Sequence, residues 1–297
     1  MKLRSIELAL PEASKAVAFF TDIWGLALTE VRSGISYLRG SSGLAYLVSL
    51  QERETPFVVS TTFTCAQEEL KQLCHRVHAA GWPSTPTDST DPGAGHGLLV
   101  ELPEGELFRF LAGTTEQPAI TAKDLPVQLT HVVLNSQDAE ASANGAEQVL
   151  GFRVSDRTKG MVFARCNDSH HSIAFARAGF SSLNHIAFEM QDLDSVMRGI
   201  GRLRDHGFTP AWGPGRHGPG ANVFAYFIAP FGAVVEFSTA VAKVPADYRV
   251  GTPEDWTWPP GRIDQWGISA KDMAQLGPAE RLFVFKREWT AQRELKK

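Results

Sequence analysis

The chain repeats its own pattern at an interval of about 126 residues, which constrains the fold more than any other feature of the sequence. "SIELAL" from Ser5 and "HVVLNS" from His131 alternate apolar and polar residues as half-buried strands do. "AVAFFTDIWGL" at 16–26 reads as an amphipathic helix stopped by Gly25, and "AEQVLGF" at 146–152 has the same shape with Gly151 as its stop. Further on, "FVVSTTFTCAQEELKQLCHRVHAAGW" and "SLNHIAFEMQDLDSVMRGIGRLRDHGF" each read as strand, amphipathic helix and glycine stop. "LLVELPEGELFRFL" then matches "FAYFIAPFGAVVEFST": strand, Pro-x-Gly turn, strand. Each half therefore holds two strand–helix–strands units. The polar stretch "GTTEQPAITAKDLPV" at 113–127 is a plausible boundary between the halves. Past residue 242 the sequence turns Pro- and Trp-rich and no longer follows the repeat.

The differences between the two copies are as informative as the likeness. The strand-opening position is Ser5 in one half and His131 in the other. The strand before the second helix places Val59 or Ser60 against His185. Four residues past the glycine of each Pro-x-Gly turn stand Arg109 and Glu236. Alone, a histidine opening an apolar strand is more often a hydrogen-bonded core residue, and a glutamate in "VVEFST" is as readily a water-facing strand residue. Jointly, two imidazoles and a carboxylate at repeat-equivalent positions of one half describe a metal site kept in one copy. Such a face leaves about three positions open on a six-coordinate ion and suits non-heme Fe(II), with Mn(II) an alternative occupant.

Composition excludes several other classes. A net charge of −4 gives no electrostatic reason to expect nucleic acid or an anionic membrane as partner. No apolar run approaches the roughly 18 residues that span a bilayer. The N-terminal residues read as strand and helix, not as an export signal. Three cysteines without CxxC spacing favour a reducing, cytoplasmic setting. "GPGRHGPG" at 213–220 lacks the Lys-Ser/Thr ending of a phosphate loop.

Paired modules with "HVVL", "LNHIAFEM" and "PFGAVVEF" resemble the vicinal oxygen chelate superfamily. Within it, "HHSIAF" and "GRHGPGANVFAYF" resemble the type I extradiol catechol dioxygenases, over about residues 1–270. The resemblance implies an α+β fold of four βαβββ modules, paired into two incompletely closed barrel-like domains. These would be a metal-free domain over 1–120 and a catalytic one over 126–242, with a tail, 243–297, packed on the second. It implies His131, His185 and Glu236 as iron ligands and His171, fourteen residues before His185, as the acid/base histidine. His217 and Tyr226 match groups that hydrogen-bond the bound substrate and later intermediates, and Phe163 falls at an aromatic pocket wall. The implied reaction is Fe(II)-dependent cleavage of a substituted catechol beside its hydroxyl-bearing carbons, with O2 as co-substrate and a homo-oligomer as the usual assembly. Trp212 stands where members that cleave carboxylated catechols carry an arginine, and Gly220 where the biphenyl-diol branch carries an aspartate. A metal-dependent isomerase or lyase of the same superfamily, or a ligand-binding member without catalysis, are the alternatives.

His170, the residue before His171, is expected on the opposite face of a strand as a structural or surface residue, with a place in the second sphere of the site as the alternative. His75 and His78 are expected on a solvated helix face, and His206 at a helix end. Asp255, Trp256, Trp258 and Trp266 in the tail either cover a pocket or only anchor the tail.

Overall fold

Strand pairing follows the repeat. In a computed structural model, which describes residues 1–286, the first module is β1 (Lys2–Leu10), helix α1 (Ala13–Ala18), β2 (Ala27–Arg32), β3 (Ile35–Arg39) and β4 (Val48–Glu52). The second is β5 (Phe57–Thr64), α2 (Gln67–Ala79), β6 (Ser84–Asp88), β7 (His96–Glu101) and β8 (Leu107–Ala112). The third is β9 (Leu129–Ser136), α3 (Ala139–Gly145), β10 (Arg153–Arg157), β11 (Met161–Arg165) and β12 (Ile173–Arg177). The fourth is β13 (Ser182–Glu189), α4 (Leu193–Asp205), β14 (Trp212–Arg216), β15 (Val223–Ile228) and β16 (Val234–Thr239). Helix α5 (Met273–Ala279) and the two-residue β17 (Val284–Phe285) follow; residues 287–297 of the expected tail lie outside the described residues.

Each half is one open sheet of mixed strands, β2-β3-β4-β1-β5-β8-β7-β6 and β10-β11-β12-β9-β13-β16-β15-β14. The modules within a half join where their first strands run antiparallel, β1 on β5 and β9 on β13. This is the α+β architecture of four βαβββ modules expected from the sequence, and the sheets are not closed. The tail reaches further than the second half: β17 pairs with β5 as well as meeting Ser182 of β13.

The helices explain the glycine stops. α1 and α3 each run on into a wider π-helical turn, Phe19–Trp24 and Ala146–Leu150. Both turns end on the expected glycine in the left-handed region, Gly25 at φ 101° and Gly151 at φ 81°, where a side chain would be strained. The freed carbonyls are satisfied from the other half. Arg202 of α4 donates to Ile23 O at 2.7 Å and Trp24 O at 2.9 Å, and Arg76 of α2 donates to Val149 O at 3.0 Å. The two arginines occupy equivalent places in the repeat, so the halves clasp each other reciprocally.

One apolar core runs through both halves. Helix α4 buries Val196, Ile200 and Leu203 on one face, and Asp192 caps its start by accepting from Ser195 N at 2.7 Å. Trp24 of the first half stacks on Phe237, with ring centroids 3.8 Å apart. That contact buttresses β16 one residue beyond Glu236. Among the described residues, no helix is long and apolar enough to cross a membrane.

Candidate metal centre and its pocket

Register brings the three candidate ligands together. Ala187 of β13 lies opposite both His131 of β9 and Glu236 of β16. His185 lies two residues from Ala187 on the same strand face, and a register shift between Leu183 and His185 adjusts its aim. The outcome is one buried cluster whose ligand atoms all lie within 4.8 Å of one another. Glu236 Oε2 is 3.2 Å from His131 Nε2 and 3.1 Å from His185 Nε2, and the two imidazole nitrogens are 3.4 Å apart.

These donors fit a cation. Glu236 is fully buried, and among the described residues no Lys or Arg forms an ion pair with it. A buried carboxylate with no cation is costly, and a divalent metal between two imidazoles removes that cost. Burial pushes the Glu236 pKa up, but chiefly the neighbouring ring of His131 outweighs it and holds the carboxyl low. Burial pushes His185 down to about 4, so its ring is neutral and has a lone pair to give.

The proton on His185 is placed by a chain of amides. Asn135 Nδ2 donates to the backbone carbonyl of Glu280 at 2.8 Å and to Ser182 Oγ at 3.0 Å. Its oxygen accepts from Asn184 Nδ2 at 2.8 Å, which turns Asn184 Oδ1 toward His185 Nδ1 at 2.7 Å. His185 therefore carries its hydrogen on Nδ1 and presents Nε2 to the metal. On the other side, Asn222 Nδ2 donates to Glu236 Oε1 at 3.3 Å and to Ser238 Oγ at 2.9 Å.

The corresponding place in the first half resolves the contrast between the copies. Glu7 pairs with Ser60 as Val133 pairs with His185, so Ser60, and not Val59, is the counterpart of His185. Here a guanidinium takes the cation's place. Arg109 is 3.3 Å from Glu7 Oε1 and donates to Asp91 at 2.6 Å, Tyr46 OH at 2.8 Å and Thr62 Oγ1 at 3.0 Å. Burial pushes Asp91 up, but Arg109 outweighs it and holds the carboxyl at about 2. The Glu7 and Asp91 partners were not read from the sequence; an acidic residue two past Ser5 was the available signal.

The other expected residues gather around the second-half cluster in a cavity of about 910 Å³. His171 packs its ring 4.2 Å from that of His131 and 5.1 Å from that of Phe163. Tyr226 OH lies 3.0 Å from His217 Nε2 and 3.5 Å from His185 Nε2, and Trp212 lies nearly parallel to Tyr226 with centroids 5.1 Å apart. Burial, reinforced by neighbouring imidazoles, pushes His171 well down; burial also takes His217 down to about 3 and Tyr226 well up. Each is therefore neutral at ordinary pH, with Tyr226 a standing hydroxyl donor.

His170 corrects the sequence reading. It is 1% exposed and turns toward His171, with Nδ1 3.0 Å from His171 Nδ1 and Nε2 2.6 Å from Asp156 Oδ2. The reason is that β12 begins only at Ile173; residues 166–172 turn through bends, so strand alternation does not govern them. His75, His78 and His206 are exposed as expected. Of the tail residues, Trp256 and Trp258 line the cavity together with Arg262, Lys271 and Glu280. Asp255 instead pairs with Arg249, and Trp266 stacks under Arg216.

Known proteins share stretches of this sequence and its fold. Residues 128–237 match the family described as Glyoxalase/Bleomycin resistance protein/Dioxygenase superfamily. Metapyrocatechase 2 of Cupriavidus necator is 29% identical over 246 residues, covering 73% of this chain and 74% of that protein. Among solved structures, the Mn(II)-bound glyoxalase from Novosphingobium aromaticivorans superposes with a TM-score of 0.84 at 29% identity, covering 92% of this chain and 93% of the other. Homoprotocatechuate 2,3-dioxygenase from Arthrobacter globiformis gives 0.82 at 20% identity, covering 93% and 90%, and shares the fold.

Proposed function

We propose that this chain, whose residues 128–237 match the glyoxalase/bleomycin resistance protein/dioxygenase superfamily, is a metal-dependent extradiol ring-cleaving dioxygenase acting on a catechol-type substrate. The observation that carries the reading is the surrounding of the His131–His185–Glu236 cluster. Two further neutral imidazoles, His171 and His217, and one protonated phenol, Tyr226, converge on it from a cavity large enough for a substituted aromatic ring. A metal hydrolase or a passive binding site has no evident need of all three.

Iron(II) is the metal we assign to these ligands, with Mn(II) its competitor; when bound it supplies an open-faced centre that lowers the pKa of a catechol hydroxyl and activates O2. The protein's own groups then handle protons and position. His171 is neutral, so it accepts a proton from a substrate hydroxyl and returns it when an oxygen–oxygen bond must break. Tyr226 stays protonated and donates to the oxygen that gains negative charge, held in place by His217 Nε2. Phe163 beside His171 and Trp212 beside Tyr226 offer aromatic walls for the ring. Both oxygen atoms of O2 end in a ring-opened product.

A metal-dependent isomerase or lyase is the second reading, favoured by the manganese glyoxalase among the structural neighbours. The test is anaerobic loading with Fe(II), addition of a panel of catechols, and admission of air. O2 uptake with a yellow ring-opened chromophore supports the dioxygenase. Iron bound in full, with no ortho-diol consuming O2, defeats it and leaves isomerisation.

A further inference from the structure

Asp156, His170 and His171 form a line leading from the protein interior to the metal cluster. Asp156 is fully buried, and its Oδ1 accepts from Gly251 N at 2.8 Å. Its Oδ2 meets His170 Nε2 at 2.6 Å, with Tyr248 OH at 3.4 Å on the same oxygen. His170 Nδ1 in turn meets His171 Nδ1 at 3.0 Å. Both rings are at most 2% exposed, so water does not compete for these nitrogens. Gly220 lies over the contact: a Cβ there would stand 3.0 Å from His170 Nδ1 and 3.2 Å from His171 Nδ1. The backbone at 220 is also left-handed, at φ 75°, so glycine serves both needs.

We propose that Asp156 and His170 are positioning residues that fix the tautomer of His171, turning a bare Nε2 lone pair toward the pocket. An ionised carboxylate only accepts, so the hydrogen between it and His170 sits on His170 Nε2. A neutral imidazole has one N–H, which makes His170 Nδ1 an acceptor. The hydrogen between the two rings then belongs to His171 Nδ1, and His171 Nε2 is left unprotonated. A base prepared in this way takes a substrate proton without first having to change tautomer. The direction of every hydrogen bond in the line follows from the carboxylate at its buried end.

The structure also predicts how to reverse the line. In Asp156→Asn the Gly251 N–H holds the amide oxygen, so the amide NH2 faces His170 Nε2 and makes that nitrogen the acceptor. His170 then donates from Nδ1, and the hydrogen of His171 moves to Nε2. Nitrogen-15 NMR of histidine-labelled, metal-free full-length protein reads both states directly. In the wild type, His171 is expected to show a protonated Nδ1 and a lone-pair Nε2, and in Asp156→Asn the reverse. In the iron-loaded enzyme the same substitution is expected to lower kcat about a hundredfold with KM nearly unchanged, the loss of a prepared base rather than of binding.

A protonated Nε2 on wild-type His171, or a doubly protonated His170, overturns the proposal without any variant having to fold. Unchanged tautomers in Asp156→Asn overturn it too, as does a switched tautomer with unaltered kcat. The effect on turnover rests on the dioxygenase reading, but the tautomers do not: the NMR result standing while no catechol is consumed sinks that reading and leaves the positioning inference in place.

Discussion

Asn184 is not among the three candidate ligands, yet it is expected to control metal affinity. Replacing it with leucine keeps roughly the same volume and removes the acceptor 2.7 Å from His185 Nδ1. The His185 N–H is then buried against an apolar group, and leaving such a donor unsatisfied costs about 1–3 kcal/mol. The ring can escape that cost by moving its hydrogen to Nε2, which is the atom that faces Glu236 at 3.1 Å and would hold the metal. Either way metal binding weakens, by about 10–100-fold, or roughly 1.4–2.7 kcal/mol. His131 has no comparable anchor among the described residues, since its buried Nδ1 has no partner, so His185 bears the orientation of the pair. Anaerobic calorimetric titration with Fe(II) measures the effect. Asn184→Asp is the companion, because it keeps an oxygen for His185 while losing the donor to Asn135 Oδ1. Leucine binding iron within about twofold of wild type, or aspartate falling as far as leucine, would mean that the amide oxygen does not set iron affinity.

Three other outcomes are expected. His185→Ala abolishes stoichiometric iron binding, whereas His171→Phe retains iron and lowers kcat by about 10²–10⁴-fold; elemental analysis beside O2 uptake separates the two. Arg109→Met leaves Glu7 and Asp91 buried without their cation, and denaturant unfolding should show a loss of about 3–5 kcal/mol with iron binding retained by any folded fraction. The Asp91 carboxyl, held at about 2 against an unfolded value of about 3.9, contributes stability that is complete above about pH 4 and is lost as pH falls through 2. That contribution is about 2–3 kcal/mol, and the acid limb of unfolding for Asp91→Asn should lack it.

The repeat carried most of the architecture because it is written in local patterns. Gly25 and Gly151, the two Pro-x-Gly turns and the alternating strands each impose structure on their own neighbours, and pairing of the copies follows. The repeat set His131, His185 and Glu236 against Ser5, Val59 or Ser60, and Arg109, and the side chains of the former three do lie together. What escaped depends on contacts distant in sequence. Asp156 reaches His170 from β10 and is held by Gly251 of the tail, so no local spacing announces it. His170 itself was misread because a period of two was extended through bends. The tail lacks a repeat partner, and its Trp256 and Trp258 acquire a place at the cavity only through the path of the chain.

This site is expected to place both atoms of O2 into an opened catechol ring. Turnover of the iron-loaded protein under ¹⁸O2, followed by rapid reduction of the product to prevent exchange and by mass spectrometry, measures their fate. Two labelled oxygen atoms in each ring-opened molecule, with one O2 consumed per catechol, is the predicted result. Catechol recovered intact, or oxidised to a quinone carrying no label, would contradict it.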